Sequence, residues 1–170
     1  MNVLAVVGTK NTGKTTLVSR LVAAFKKTGL RVATCKHDGG HEFEIDVPNT
    51  DTWKHRQAGA DITLIASRSH MALQLFYEEE PPLDVWLEQL KRLPHPPDLV
   101  LVEGWKRSSV PKIVMLGTEK IEQLSNVVAY VRVEEPVSIA DRSFGVYDRE
   151  DIEGLVQLIQ RLMEKRNLEV

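Results

Sequence analysis

A glycine-rich octapeptide, "GTKNTGKT" (Gly8 to Thr15), lies between the apolar run "VLAVV" and the amphipathic stretch "LVSRLVAAF". A short run that is apolar at every position is the pattern of a strand buried on both faces. After Thr15 the period becomes helical, with Leu17, Val18, Leu21, Val22 and Phe25 on one face. Lys26 and Lys27 fall in the last turn of that helix, and Gly29 supplies its stop. "LRVATCK", Leu30 to Lys36, then reads as a second strand. Strand, glycine turn, helix, strand is a βαβ unit, whose two strands run parallel. This single feature commits the chain to an α/β fold.

Gly8-x4-Gly13-Lys14-Thr15 is also the Walker A spacing, in the strand-to-helix context that the motif requires. Glycines admit backbone angles that a Cβ forbids. With them the loop through Thr9, Lys10, Asn11 and Thr12 can turn its N–H groups inward as an anion nest. The helix behind it adds its own unpaired N–H groups and the positive end of its dipole. Lys14 is expected to reach the β- and γ-phosphates, and the Thr15 hydroxyl to bind Mg²⁺. Thr16 is placed to bond the α-phosphate. Gly8 to Thr16 are therefore the candidate nucleotide-binding residues.

The rest of the chain continues the alternation. His37 to Asn49 is a polar, acidic loop, and Thr50 or Asp51 can cap a short helix that stops at Gly59. "DITLIAS" and "MALQLFY" read as a hairpin, which predicts a mixed sheet. Pro81-Pro82 opens a helix with Leu83, Trp86, Leu87, Leu90 and Leu93 on one stripe. "LVLV", "KIVML", "VVAYVRV" and "FGVYD" are further strands, with a helix expected over "TEKIEQL". Asp148 is expected to cap a last amphipathic helix through Ile152, Leu155, Val156, Ile159, Leu162 and Met163. The expectation is one domain over residues 1–170, a three-layer P-loop fold: a mostly parallel, mixed central sheet with helices on both faces.

Composition excludes several partners. The net charge is −2, and no basic block exceeds short pairs such as Lys26-Lys27 and Lys106-Arg107, which argues against a general grip on nucleic acid. No apolar run is long enough to span a membrane, and the first is too short for a signal peptide. Cys35 is the one cysteine, so no internal disulfide forms and a cytoplasmic setting is expected.

Glu103 ends a buried strand, in "DLVLVEG". Ligands of open α/β sheets bind beyond the carboxyl ends of the strands. A carboxylate there can hold Mg²⁺ or orient an attacking water, and Gly104 would let the backbone approach a terminal phosphate. One of Asp38, Asp46 or Asp51 could add a metal contact. His37 and His41 lie in the same loop, but its other ligands are hard oxygens and no cysteine is near, which disfavours zinc. His55, His70 and His95 read as surface or half-buried histidines, and Trp53, Trp86 and Trp105 as packing anchors, with Trp105 close enough to Glu103 to flank a site. No Asn-Lys-x-Asp or Thr-Lys-x-Asp occurs, so these residues alone leave GTP and ATP undivided.

Four stretches in order, "VVGTKNTGKTTL", "VATCKHDGGHEFEID", "DTWKHRQAGAD" and "LVLVEGWK", resemble the molybdopterin-guanine dinucleotide biosynthesis protein B (MobB) family. The resemblance is strong over about the first two-thirds of the chain. It implies a cytoplasmic, homodimeric, GTP-binding P-loop protein with weak GTPase activity. Such a protein assists the guanylyltransferase that attaches GMP to molybdopterin, with other cofactor-maturation proteins as further candidate partners. Carried over, Gly8 to Thr16 hold the phosphates, Lys14 and Thr15 serve the β/γ-phosphate and Mg²⁺, and Glu103 serves the metal or the water. Lys14 and Glu103 are thus the catalytic candidates. Thr15, Glu103 and, in the matching "FEID", Asp46 are the metal candidates. Where many members carry a glycine after Pro48, this chain has Asn49.

Two other readings use the same loop. An ATP-dependent small-molecule kinase or ligase would need an acceptor pocket built from the His37 to Asp51 loop, and the chain shows no arginine-rich lid. An interaction module gated by nucleotide would differ only in whether hydrolysis matters.

Overall fold

Val3 to Gly8, Leu99 to Glu103 and Lys112 to Leu116 are buried at every position, and such strands need a layer on each face. The computed structural model describes residues 1–39, 43–117, 124–133 and 144–170. Its main sheet has six strands: β1 (Asn2–Gly8), β2 (Val32–Lys36), β5 (Leu99–Glu103), β6 (Lys112–Leu116), β7 (Val127–Arg132) and β8 (Gly145–Asp148). They stand in the order β2-β5-β1-β6-β7-β8, and every ladder is parallel. The chain leaves β1 toward one edge and later crosses it toward the other, so the end of β1 is a point where strand order reverses.

Side chains alternate between the faces. Leu4 and Val6 of β1, with Leu99, Leu101, Ile113 and Met115, pack against Leu17, Leu21 and Phe25 of α1 (Lys14–Lys27) and Leu155 and Ile159 of α4 (Ile152–Glu164). Val3, Ala5 and Val7, with Val100, Val102 and Val114, pack against Leu83 and Leu87 of α3 (Leu83–Lys91). Burying each such side chain contributes about 1.5–3 kcal/mol. The three layers of the α/β reading are all present.

The sheet differs from expectation in one respect. The predicted hairpin forms, as β3 (Ile62–Ala66) against β4 (Met71–Leu75), but as a separate two-stranded sheet. It belongs to a second compact unit, Asp38–Pro82, while Met1–His37 and Leu83–Val170 make the first. The antiparallel pairing is local to that insertion, and the main sheet carries none of its strands. The second unit also holds α2 (Asp51–Gln57), with Arg56 stacked 3.8 Å over the Phe76 ring. Thr50 occupies the N-cap position of α2, but its hydroxyl donates to Val47 O instead of capping. Asn49 takes φ 72°, the left-handed geometry that suits a glycine.

The cap of α4 also moves. Asp151, not Asp148, accepts the hydrogen bond from Gly154 N at 2.9 Å. Asp148 ends β8 and accepts from Glu150 N, a turn that delivers Asp151 to the helix. The helix expected over "TEKIEQL" falls outside the described residues, apart from Leu124.

The connection from β5 to β6 has no helix. Gly104 to Pro111 must return the chain to the start of β6, and Lys112 closes that path. Its fully buried ammonium donates to Ser108 O (2.6 Å), Val110 O (2.8 Å) and Ser125 O (3.2 Å). Burial holds the Lys112 ammonium below its ordinary range.

Candidate functional site

The glycines of the loop serve two different needs. Gly13 takes φ 82° as the N-cap of α1, and a Cβ there would have only Met115 Cε, at 4.0 Å, for a neighbour. Gly8 is a matter of space: a Cβ would lie 2.8 Å from Met115 O and 3.0 Å from Thr12 Oγ1. Asn11 also turns left-handed, at φ 61°. Lys10 and Asn11 are exposed, whereas Thr12 is buried and donates to Thr9 O at 3.0 Å.

Lys14 starts α1 and bends back over the loop, its ammonium donating to Thr9 O at 2.6 Å. Burial is the main cause that lowers its pKa. Glu103 pulls the other way, and Lys106 and Lys36 add to the lowering. One residue on, the Thr15 hydroxyl lies 2.9 and 3.0 Å from the two oxygens of Glu103. Glu103 is only 8% exposed. Thr16 is exposed in the first turn of α1. No acidic residue occupies that turn, and no side chain caps it among the described residues.

The loop and the end of β5 therefore meet. Gly8, Thr9, Thr12, Gly13, Lys14, Thr15 and Glu103 surround one helix N-terminus at the carboxyl ends of parallel strands. An open space over a left-handed glycine, an uncapped helix start and a cation suit a phosphate chain. A hydroxyl already set against a buried carboxylate suits a hard divalent ion. Asp46 lies in the second unit, where its Oδ1 accepts from Thr52 at 3.0 Å; its Oδ2 is buried with no partner among the described residues. Asp38 and Asp51 are exposed residues of that unit, and Asp51 faces Lys54 at 3.8 Å. His41 lies outside the described residues. Among the described residues no group of three or more His, Cys, Asp or Glu could hold a metal by itself.

Two neighbours escaped the reading of the sequence. Lys36 Nζ lies 3.5 Å from Glu103 Oε1. The His37 ring stacks on Trp105, with centroids 4.8 Å apart and 28° between planes. Both pairs depend on β2 lying beside β5, a placement that no local spacing encodes. Trp105 flanks the site as its position after Glu103-Gly104 suggests, and it does so at φ 46°.

Comparison with known proteins gives a consistent result. A family model described as "Molybdopterin guanine dinucleotide synthesis protein B" matches residues 3–133. The molybdopterin-guanine dinucleotide biosynthesis adapter protein of Escherichia coli K12 is 32% identical, over 96% of this chain and 94% of that protein. The adapter protein of the same name from Haemophilus influenzae is 30% identical, over 75% and 70%. The crystal structure of a MobB protein homolog from Bacillus stearothermophilus superposes with a TM-score of 0.75 at 29% identity, covering 97% of this chain and 99% of that one.

Proposed function

We propose a function from one premise: the chain belongs to the molybdopterin guanine dinucleotide synthesis protein B (MobB) family. It serves as an adapter in molybdopterin-guanine dinucleotide biosynthesis, the role that its relatives' names carry. In finer detail, it is a GTP-binding accessory protein with weak, Mg²⁺-dependent GTPase activity. It works in the cytoplasm as a homodimer beside the molybdenum cofactor guanylyltransferase. The observation that carries the nucleotide reading is the Thr15 hydroxyl on Glu103, beside the uncapped start of α1.

Each side chain then has a role. The first-turn amides of α1 and the loop from Gly8 to Thr12 cradle the phosphates. Lys14 exchanges Thr9 O for phosphate oxygens, a change that favours its charged form. Thr15 and Glu103 would hold the divalent ion, and Glu103 would also orient the attacking water. When bound, Mg²⁺ supplies charge neutralisation on the terminal phosphate. No arginine finger is evident in the sequence, so turnover is slow, at about 10⁻⁴ to 10⁻² s⁻¹.

The homodimer is supported by the hairpin. Ile62 (58% exposed), Leu64, Ile65, Met71, Leu73 and Leu75 are all exposed large apolar residues on two short strands, a surface that a second copy would cover. No helix among the described residues is long and apolar enough to cross a membrane.

Calorimetry tests the reading. With Mg²⁺, GTP and GDP are expected to bind and ATP to compete poorly, and Lys14→Ala is expected to weaken GTP by about 100-fold. A selective ATP site without GTP competition would overturn the guanine assignment. Unchanged binding in Lys14→Ala would overturn the site.

A further inference from the structure

Lys36 ends β2, Glu103 ends β5, and the parallel register pairs the two residues directly. Alternation puts Glu103 on the same face as Leu99 and Leu101, which pack beneath α1. The carboxylate thus has one partner from α1, the Thr15 hydroxyl, and one from β2, the Lys36 ammonium at 3.5 Å. The backbone around Lys36 is fixed. His37 N donates to Glu103 O at 2.9 Å and Gly104 N to Val6 O at 3.2 Å. A Cβ on Gly104 would come within 2.9 Å of His37 Cβ, and the His37 ring is stacked on Trp105. The Lys36 side chain is nonetheless 58% exposed, so its head can move while its base cannot.

We propose that Lys36 determines the preference for a triphosphate: it is the counterion of Glu103 in the unliganded protein and turns to the γ-phosphate when a divalent ion takes the carboxylate. This rests on the nucleotide reading above. A half-exposed ion pair is weak and yields readily to a divalent ion. The displaced ammonium is a compact charge on a flexible four-carbon stem, anchored beside the phosphate loop. The γ-phosphate gives it a new anionic partner at a position that a diphosphate leaves empty. The influence of both Lys36 and Lys106 on the Lys14 ammonium places their charges close to the same loop.

The test is calorimetry with Mg²⁺ and either GDP or a non-hydrolysable GTP analogue, on wild type, Lys36→Ala and Lys36→Arg, with folding checked by circular dichroism. Lys36→Ala is expected to lose about tenfold in analogue affinity while GDP affinity stays within about twofold. Lys36→Arg, which keeps the charge, is expected to retain the preference. With Mg²⁺ alone, Lys36→Ala is expected to bind more tightly than wild type, because the competing ammonium is gone. Equal losses for both nucleotides, or none, would overturn the role of Lys36 while leaving the nucleotide site standing. A wild type that binds neither nucleotide would overturn both.

Discussion

β5 and β3 are both five-residue strands of largely branched apolar residues, LVLVE and ITLIA. Every residue of β5 is buried, even Glu103. In β3 only Thr63 is buried, and its four apolar residues are exposed. Strand propensity is alike in the two, so it cannot account for the contrast. β5 has a parallel neighbour on each side and a helix layer on each face. Within its own unit β3 has one ladder partner, β4, and the short helix α2 beside it. A two-stranded hairpin is marginal by itself and needs a cover. Apolar sequence makes a strand, and the layers around it decide whether the strand becomes core or contact surface.

Replacing one leucine in each region gives the largest separation. Leu101→Ala in β5 is expected to cost about 3 kcal/mol in urea unfolding, through lost burial and a residual cavity. Leu64→Ser in β3, measured in dilute protein, is expected to cost less than about 1 kcal/mol. Similar losses would break the contrast. The next effect concerns assembly. If the proposed homodimer forms through the hairpin, Leu64→Ser with Leu73→Ser is expected to convert it to a monomer in light scattering, whereas Leu101→Ala retains the dimer mass at temperatures where it is folded. A double variant that stays dimeric would move the contact surface away from the hairpin.

The smallest effect lies in the alkaline range. Burial lowers the Lys112 pKa below 10.5 in the folded chain, so between the folded value and 10.5 the unfolded chain binds more protons. Stability is therefore expected to rise with pH through that window. Burial pushes the Cys35 thiol above 9.0, which acts in the opposite direction. In a Cys35→Ala background, Lys112→Met should flatten the rising slope across the window. Unchanged urea midpoints on adding Lys112→Met would show that this ammonium does not titrate there.

Much of the first unit was legible because its signals are local. The spacing from Gly8 to Thr15 announces the loop, and apolar runs announce β1, β5 and β6. What escaped depends on residues far apart in the chain. Lys36 meets Glu103 only because β5 inserts between β1 and β2. Lys112 looks like the polar start of a strand, yet two carbonyls of the helix-free connection and a third, from Ser125 ahead of β7, close around it. Asp148 and Asp151 both precede the same amphipathic pattern, and the choice rests on which oxygen reaches Gly154 N. The hairpin was found from its turn, but its exclusion from the main sheet follows from unit boundaries that hydrophobic period does not mark.

β6 carries Lys112 at its first position and Met115 at its fourth, about 10 Å apart along an extended backbone. The lysine end is pinned by its carbonyls, and the methionine end presents the oxygen that allows Gly8 no side chain. The strand thus behaves as a strut, setting from the amino-terminal end of the central strands how closely Met115 approaches the glycine loop. Substitutions at Lys112, remote from any phosphate, should register in that loop as changed ligand affinity, because a rigid rod transmits a shift at its foot to its tip.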